Sequence, residues 1–331
     1  MELKEKILGS LVGLTIGDAL GMPTSMMTPE AIQSVYGWID GFVKPTRDNP
    51  IHGHLAEGES TDDTALAMMI VDEMIDNHGD VSAHRLAKRL VNWADQEHIM
   101  NSSVIGPSTR QSIHLLKEGK DPKETGLTGV TNGAAMKVSP IGLIHYQDEE
   151  ALIKNVYQAC LPSHNTSIAI SGAMAIAFAV ASAMRNESLN SILEASIKGA
   201  DIGETMGIKV TGPSISDRIK WAISMIDPLK TQLENATHVV RHLGSSMLTY
   251  ESVPMAIFYF YLTKGNPKEA ILLAVNMGDD ADTIASMTGA VSGAYLGLSR
   301  FPYEWVEVAM NNQDAALLSR YQNLSTCKIK K

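Results

Sequence analysis

The sequence predicts an all-α protein that forms a single domain. Three observations lead to this prediction: hydrophobic residues recur with a helical period along nearly the whole chain, alternating apolar and polar runs are scarce, and the composition suits closely packed helices. Ala, Gly and Met are abundant, whereas aromatic residues make up only 5%. Small residues and flexible thioethers fill the narrow spaces between helices. No Pro-, Ser- or Gly-rich linker divides the 331 residues, so we expect one domain over 1–331.

Local start and stop signals divide this periodicity into helices. Ser82 is expected to cap one helix, and Pro267 and Pro302 suit the first turns of two others. At most, residues 37–43 are expected to form one short strand. The predicted helices span residues 5–20, 62–77, 82–94, 108–117, 151–159, 166–184, 189–202, 215–226, 253–263, 267–275, 282–298 and 302–310.

Two ladders of glycine recur every four residues, within predicted helices or directly at their ends. A glycine costs about 1 kcal/mol in a helix interior relative to alanine, so a row of them needs a structural reason. Glycines at this spacing share one helix face and let another backbone approach closely. The ladders, the first of which Asp18 interrupts, are Gly9, Gly13, Gly17 and Gly21, and Gly289, Gly293 and Gly297.

The overall charge argues against nucleic acid as a partner. The formal net charge is -10, and beyond the C-terminal Lys328, Lys330 and Lys331 there is no basic run to offset it. Cys160 and Cys327 are too few for a disulfide scaffold or a cysteine-rich zinc site. Two cysteines and a charged N-terminal segment without a signal-peptide core lead us to expect a cytoplasmic protein.

One uncharged segment, residues 168–184, reaches the lower length limit of a membrane span. It is rich in Ala and contains Ser171, Gly172 and Ser182, whereas a spanning helix is typically richer in Leu, Ile and Phe. We therefore predict a buried central helix and no membrane contact.

Two acidic motifs are the strongest functional signal. The first contains Thr61, Asp62 and Asp63, and the second contains Asp280, Asp282 and Thr283; each lies in a loop that leads into a predicted helix. Thr and Asp also serve as ordinary helix caps, which is the simpler explanation for either motif alone. Two such clusters together are harder to explain in this way, because carboxylates without basic neighbours repel one another unless a cation neutralises them.

Oxygen ligands of this kind suit two Mg²⁺ ions, with Mn²⁺ as an alternative. The chain has no H-E-x-x-H motif and no cysteine pair for zinc. Two neighbouring divalent ions activate a water molecule and bind substrate hydroxyls, which permits hydrolysis without a protein nucleophile. Sequence signatures of rival chemistries, such as G-x-S-x-G or a P-loop, are missing.

With these motifs the chain resembles the ADP-ribosylglycohydrolase family from about Ile7 to Trp305. Residues 13–21 are similar to the opening helix of the family, and the two acidic motifs are similar to its metal motifs. Residues 132–137 (NGAAMK) resemble its N-G-x-x-M-R loop. The further points of resemblance are His164, residues 251–254 and residues 274–276.

The resemblance implies an orthogonal multi-helix bundle with a dinuclear Mg²⁺ centre that cleaves the bond at C1″ of a ribose, commonly to an arginine, a serine or an acetyl oxygen. The metal ligands would be Thr61, Asp62, Asp63, Asp280, Asp282 and Thr283. Of these acids, Asp62, Asp63 and Asp280 are the candidates for activating the water. The substrate would be bound by Asn132, Gly133, Met136 and His164.

Three residues depart from the family pattern. Ser25 stands where some members have a glutamate, so another base such as Glu59 or Asp63 would be needed if that glutamate is catalytic. Asp279 replaces a glycine of the second metal motif, adding charge and reducing backbone freedom. Lys137 replaces an arginine and lacks its planar, bidentate fork.

The substrate is expected to be an ADP-ribosylated protein or a smaller ribosyl metabolite. A diphosphate would need backbone N–H groups, which the loops at 106–108 and 132–135 could supply. A neutral ribosyl or nucleoside-like compound would need no such site. A third possibility is a relative that retains metal and binds a ligand without turnover, which the Ser25 departure suggests.

Overall fold

Helices account for the regular structure of the residues that the structure, a computed structural model, describes: 2–101, 104–311, 320, 323 and 324. The predicted all-α class and single domain are confirmed. Cys327 and the C-terminal lysines lie outside the described residues. The α-helices are α1 (Leu3–Gly21), α2 (Pro29–Val35), α3 (Asp62–Asp76), α4 (Ala83–Gln96), α5 (Pro107–Lys117), α6 (Pro122–Thr125), α7 (Ser139–Ile144), α8 (Glu149–Cys160), α9 (Ser167–Met184), α10 (Leu189–Glu204), α11 (Ile215–Ser224), α12 (Gln232–Leu243), α13 (Thr249–Leu262), α14 (Pro267–Met277), α15 (Ala281–Leu296) and α16 (Tyr303–Asn311).

The two glycine ladders pack against each other and hold α1 antiparallel to α15. A Cβ atom added at Gly17 would lie 2.1 Å from the carbonyl oxygen of Ala285, and one at Gly293 would lie 1.9 Å from that of Gly9. The two backbones are therefore in direct contact, as the ladders predicted. Because the helices are antiparallel, the C-terminal end of α1 lies beside the start of α15, where the second acidic motif is found.

Helix α9 is the predicted central helix. Every residue from Ser167 to Met184 is buried. Two helices, residues 3–24 and α9, are long and apolar enough to cross a membrane, and both are almost wholly enclosed by other parts of the protein. Burial of all faces explains why the sequence of α9 lacks a polar stripe.

The predicted strand at 37–43 is wrong, because no strand forms in the described residues. The Asn276 side chain instead accepts a hydrogen bond from the Ile39 N–H and donates one to the Ile39 carbonyl, both at 2.9 Å. This amide satisfies the backbone groups that a neighbouring strand would otherwise pair.

The starts of three helices bear on the predictions. Ser82 is the N-cap residue of α4, as predicted, but its side chain accepts no hydrogen bond from the helix. Helix α12 was not predicted, although its start has a capping box in which Thr231 and Glu234 each bind the other's backbone N–H. Pro267 occupies the first turn of α14, as predicted.

Candidate active site

The two acidic motifs meet at one cavity, although more than 200 residues separate them in sequence. Thr283 Oγ1 donates a hydrogen bond to Asp63 Oδ2 at 3.2 Å, which links the start of α15 to the start of α3. The cavity has a volume of about 150 Å³. Among its walls are the following predicted site residues: Asp62, Asp63, Asn132, Gly133, Met136, Asp280, Asp282 and Thr283.

Local sequence explains the geometry of the first motif. Thr61 has an extended backbone and caps α3, its side chain accepting a hydrogen bond from the Asp63 N–H at 3.4 Å. Asp62 and Asp63 then occupy the first turn, where the positive end of the helix dipole favours carboxylates. Capping and ligand binding are thus compatible functions of the same motif.

Asp18 is a buried member of the acidic cluster that sequence reasoning did not select as a site residue. Its carboxylate accepts hydrogen bonds from the backbone N–H groups of Thr61 and Thr64 at 3.0 Å and from their hydroxyls at 2.8 and 2.6 Å. Burial, with a contribution from the charge of Asp282, raises the pKa of Asp18 to about 6. A signal was present, because Asp18 is a charged residue inside an otherwise apolar, glycine-rich helix.

The second motif begins with two residues in the left-handed backbone region, Gly278 at φ +73° and Asp279 at φ +57°. The non-glycine residue here is strained. Backbone hydrogen bonds from the Met26 N–H to the Asp279 carbonyl at 2.7 Å, and from the Asp279 N–H to the Met27 carbonyl at 2.8 Å, fix the turn. The departures at Ser25 and Asp279 are therefore neighbours, joined by a parallel bridge.

Asn132 connects the NGAAMK segment to the second motif. Its Nδ2 donates to Asp280 Oδ2 at 2.5 Å and to Ser252 Oγ at 3.0 Å. Gly133 follows it and lies against His164, whose ring would be 2.7 Å from an added Cβ atom. The segment therefore lines the cavity and also holds one carboxylate in place.

His52 is a second site residue that sequence reasoning missed. Its Nε2 lies 3.1 Å from Asp282 Oδ2, and both side chains are buried. Burial alone would raise the pKa of Asp282, but the hydrogen bond and charge of His52 hold it below its ordinary value. Burial alone would lower the pKa of His52, but the hydrogen bond to Asp282 and the charges of Asp282, Asp18 and Asp62 outweigh burial and raise it.

The remaining acids of the cluster repel one another. Burial and the charges of Asp18 and Asp282 raise the pKa of Asp62 to about 7. The pKa of Asp63 is raised well above its ordinary value by burial and by the neighbouring carboxylates, and that of Asp280 by burial and by Asp282. The described cavity walls include no Lys or Arg that would pair with them. Apart from His52, the described walls thus offer this cluster no positive side chain.

The donor set fits a hard divalent cation. Asp63 Oδ1 is buried and has no hydrogen-bond partner, which leaves a carboxylate oxygen free to bind an ion. Among the described residues, no three His, Cys, Asp or Glu side chains are placed to hold an ion by themselves, so other oxygen donors must complete a ligand set. Threonine hydroxyls, which Thr61 and Thr283 supply beside Asp63, are the further oxygen donors present.

His164 lies behind the cavity wall and does not line the cavity. Its Nε2 is 3.0 Å from Thr131 Oγ1, and its Nδ1 is 2.8 Å from Ser163 Oγ, which accepts a hydrogen bond from Lys137 Nζ at 3.2 Å. Burial and the nearby Lys137 hold the pKa of His164 well below its ordinary value, so the ring is neutral. Burial lowers the pKa of Lys137 to about 8. Substrate contact by His164 stays a prediction.

Glu59, one of the two alternative bases, is exposed and accepts a hydrogen bond from the Ala56 N–H at 2.8 Å. It lines a more open groove of about 930 Å³ between α3 and α4, next to the cavity. Asp63, the other alternative, lines the cavity itself. The geometry therefore favours Asp63 over Glu59.

The raised pKa of Asp62 predicts that Asp62→Asn stabilises the metal-free protein more at high pH than at low pH. Folded Asp62 keeps a proton that the unfolded chain has released, so the contribution to stability is lost as the pH rises from about 4 through about 7. The gain in free energy of unfolding should be about 2 kcal/mol larger at about pH 7.5 than at about pH 5. Urea unfolding of the wild type and of Asp62→Asn, each with a chelator, measures this gain. Equal gains at the two pH values would contradict the raised pKa of Asp62.

Known proteins resemble this chain over nearly its full length. A sequence model of the ADP-ribosylglycohydrolase family matches residues 1–326. The uncharacterized protein YegU of Escherichia coli K12 is 31% identical over 296 residues, 89% of each chain. The ADP-ribosylarginine hydrolase Tri1 of Pseudomonas putida is 28% identical over 309 residues, which cover 90% of this chain and 72% of that protein. A solved structure described as an ADP-ribosylglycohydrolase-related protein complex shares the fold, with a TM-score of 0.69 at 19% identity, covering 99% of this chain and 98% of that one.

Proposed function

This chain belongs to the ADP-ribosylglycohydrolase family, and we propose that it is a Mg²⁺-dependent hydrolase that cleaves the C1″ bond of an ADP-ribosyl or related ribosyl substrate. The observation that supports the proposal is the convergence of Asp62, Asp63, Asp280 and Asp282 on one cavity whose described walls contain no Lys or Arg. Such a group of acids is costly to bury without a cation, and a functional site explains the cost.

In this proposal the metal ligands are Thr61, Asp62, Asp63, Asp280, Asp282 and Thr283. Two divalent ions bound there would supply the positive charge that lowers the pKa of a water molecule and holds ribose oxygens. Asp18 fixes the start of α3 through the Thr61 and Thr64 backbone, and Asn132 fixes the Asp280 carboxylate. Asp63 is the candidate proton acceptor, because it lines the cavity whereas Glu59 lines only the neighbouring groove.

The substrate side of the cavity is formed by the start of α5 and the NGAAMK segment. Gly106, Pro107 and Thr109 line it on one side, and Asn132 and Gly133 on the other. Backbone N–H groups at a helix start are suited to a phosphate. An ADP-ribosylated protein fits this proposal best, since the relative Tri1 is named an ADP-ribosylarginine hydrolase.

One observation favours a smaller substrate as the second candidate. The cavity volume of about 150 Å³ is below the roughly 300–1,000 Å³ of typical ligand sites. The described walls also lack a Lys or Arg for a diphosphate. A ribosyl group fits this space, so hydrolysis of a small ribosyl or nucleoside-like metabolite is the alternative. The non-catalytic alternative predicts metal and ligand binding without ribose release.

A substrate panel separates these candidates. ADP-ribosyl-arginine, ADP-ribosyl-serine and several nucleosides would be incubated with the protein and Mg²⁺, and with a chelator as the control, and ribosyl products would be measured by chromatography. We expect turnover of an ADP-ribosyl compound that the chelator abolishes and that added Mg²⁺ or Mn²⁺ restores. Turnover of nucleosides alone would favour the second candidate, and binding without any turnover would contradict the proposed enzyme.

A further inference from the structure

His52 has one ring nitrogen engaged and the other free. The side chain is buried, with 2% of the residue exposed, and it lines the cavity. Nε2 lies 3.1 Å from Asp282 Oδ2, while Nδ1 is buried without a hydrogen-bond partner. A divalent cation bound to these acids offsets their effect on His52 and leaves the ring neutral. Because a carboxylate accepts hydrogen bonds, Nε2 of the neutral ring carries the hydrogen and Nδ1 presents a lone pair. A buried acceptor without a partner is costly unless a ligand supplies one.

The backbone that carries this ring is fixed from behind. Asn49 Oδ1 accepts a hydrogen bond from the His52 N–H at 2.8 Å, and Asn49 Nδ2 donates to the Ser25 carbonyl at 3.2 Å. One buried amide thus ties the segment that carries His52 to the segment that carries Ser25. This arrangement fixes the backbone of His52, and the contact of Nε2 with Asp282 orients the ring.

Ser25 adds a second free group in the same cavity. Its hydroxyl is buried and lies near Asp282 without meeting the geometry of a hydrogen bond. Nδ1 of His52 only accepts a hydrogen bond, whereas a serine hydroxyl both donates and accepts. The complementary group is a hydroxyl, which can donate to the imidazole and accept from the serine. An anion would be repelled by the lone pair of the imidazole. A carbonyl has no hydrogen to donate to Nδ1.

We propose that His52 and Ser25 form a binding subsite for one ribose hydroxyl of the substrate. His52 then has two separate tasks: Nε2–H holds Asp282, and Nδ1 accepts the hydrogen bond of that hydroxyl. The subsite occupies the position where some family members have a glutamate, so a neutral pair replaces a charged residue there. This inference rests on the proposed function, because it requires a ribosyl substrate in the cavity.

Two amide substitutions separate the tasks of His52. The side-chain nitrogen of His52→Gln takes the position of Nε2 and still donates to Asp282, but the acceptor at Nδ1 is lost. The amide of His52→Asn takes the position of Nδ1 and can still accept, but it does not reach Asp282. His84→Gln is the matched control, because His84 also pairs with an aspartate, Asp121, but on the protein surface.

Calorimetric titration with Mg²⁺, and then with ADP-ribose in saturating Mg²⁺, tests the proposal. We expect His52→Gln to bind Mg²⁺ within about twofold of the wild type and ADP-ribose about tenfold more weakly, the loss of one hydrogen bond. His52→Asn should weaken Mg²⁺ binding instead. Two analogues of ADP-ribose, the 2″-deoxy and the 3″-deoxy forms, each lack one ribose hydroxyl. With the analogue that lacks the bound hydroxyl, the tenfold difference between wild type and His52→Gln should disappear.

Several outcomes would overturn the inference. Unchanged ADP-ribose affinity in His52→Gln would show that Nδ1 contacts no ligand, and a loss of Mg²⁺ binding in that variant would assign Nδ1 to the metal. If His52→Gln does not fold, Ser25→Ala serves as the second variant, with ADP-ribose binding about threefold weaker and Mg²⁺ binding unchanged; equal ADP-ribose binding there contradicts the subsite. A wild-type protein that binds neither ADP-ribose nor ribose 5-phosphate would overturn the proposed function and this inference with it.

Discussion

Replacing Asp62 and Asp282 together by asparagine is expected to abolish divalent-metal binding and to lower kcat/KM for ribosyl hydrolysis at least about a thousandfold, roughly 4 kcal/mol of transition-state stabilisation. The two residues come from opposite sides of the centre, at the starts of α3 and α15. Asparagine keeps the shape of each side chain and removes two buried negative charges that repel their neighbours. The fold should therefore survive while the cation loses both anchors.

Calorimetric titration with Mg²⁺ and the hydrolysis assay measure this loss, and circular dichroism checks the fold. Asp201→Asn is the matched control, because Asp201 is an exposed acid on α10 that lies outside the cavity walls. We expect the control to titrate like the wild type. Metal binding that is unchanged in the double variant would contradict the proposed centre.

Gly293→Ala is expected to destabilise the protein by about 3 kcal/mol, although this change stabilises an ordinary exposed helix by about 1 kcal/mol. The sign is reversed because the new Cβ atom would lie 1.9 Å from the carbonyl oxygen of Gly9, which belongs to a backbone that cannot rotate away. Helices α1 and α15 would have to separate. Since α1 carries Asp18 and α15 carries Asp282, separation would also disturb the two sides of the acidic cluster.

Urea unfolding in a chelator measures the change in free energy. Gly41→Ala is the control, because an added Cβ atom at Gly41 would have no neighbour closer than 4.0 Å, the indole nitrogen of Trp305. It should change stability by less than about 0.5 kcal/mol. A Gly293→Ala protein as stable as the wild type would contradict direct backbone contact between the ladders.

The features that followed from the sequence are those with a local or periodic cause. Helical periodicity revealed the class, and the glycine ladders revealed a close helix contact before its partner was known. The acidic motifs were visible because Thr and Asp at a helix start follow a short-range rule. Their meeting at one cavity depends on the ladders, which position the end of α1 against the start of α15, and on Asp18 of α1, which binds the start of α3.

The missed site residues and the failed strand depend on contacts between distant segments. Asp18 acts on Thr61 and Thr64, more than 40 residues away, and nothing in the local sequence names those partners. His52 lies in a loop without periodicity and meets Asp282 only in the folded chain. Residues 37–43 fail as a strand because the side chain of Asn276, distant in sequence, satisfies the Ile39 backbone.

The departures from the family pattern have different structural settings. Ser25 leaves an unpartnered hydroxyl in the cavity, and Asp279 takes up a left-handed backbone beside it. Lys137 is buried away from the cavity and reaches it through a chain of hydrogen bonds formed by Ser163, His164 and Thr131. This chain gives the lysine a positioning role behind the wall, which requires one donor and no bidentate fork.

Anomalous diffraction from crystals soaked in Mn²⁺ tests the central claim most directly, because it locates the ions without reference to any substrate. We expect two peaks roughly 3.5–4 Å apart between the starts of α3 and α15, with oxygen ligands from Asp62, Asp63 and Asp282 among others. The same peaks should vanish in the Asp62→Asn, Asp282→Asn double variant. The absence of peaks from the wild-type cavity, or peaks bound only to surface acids, would contradict a metal centre formed by the two acidic motifs.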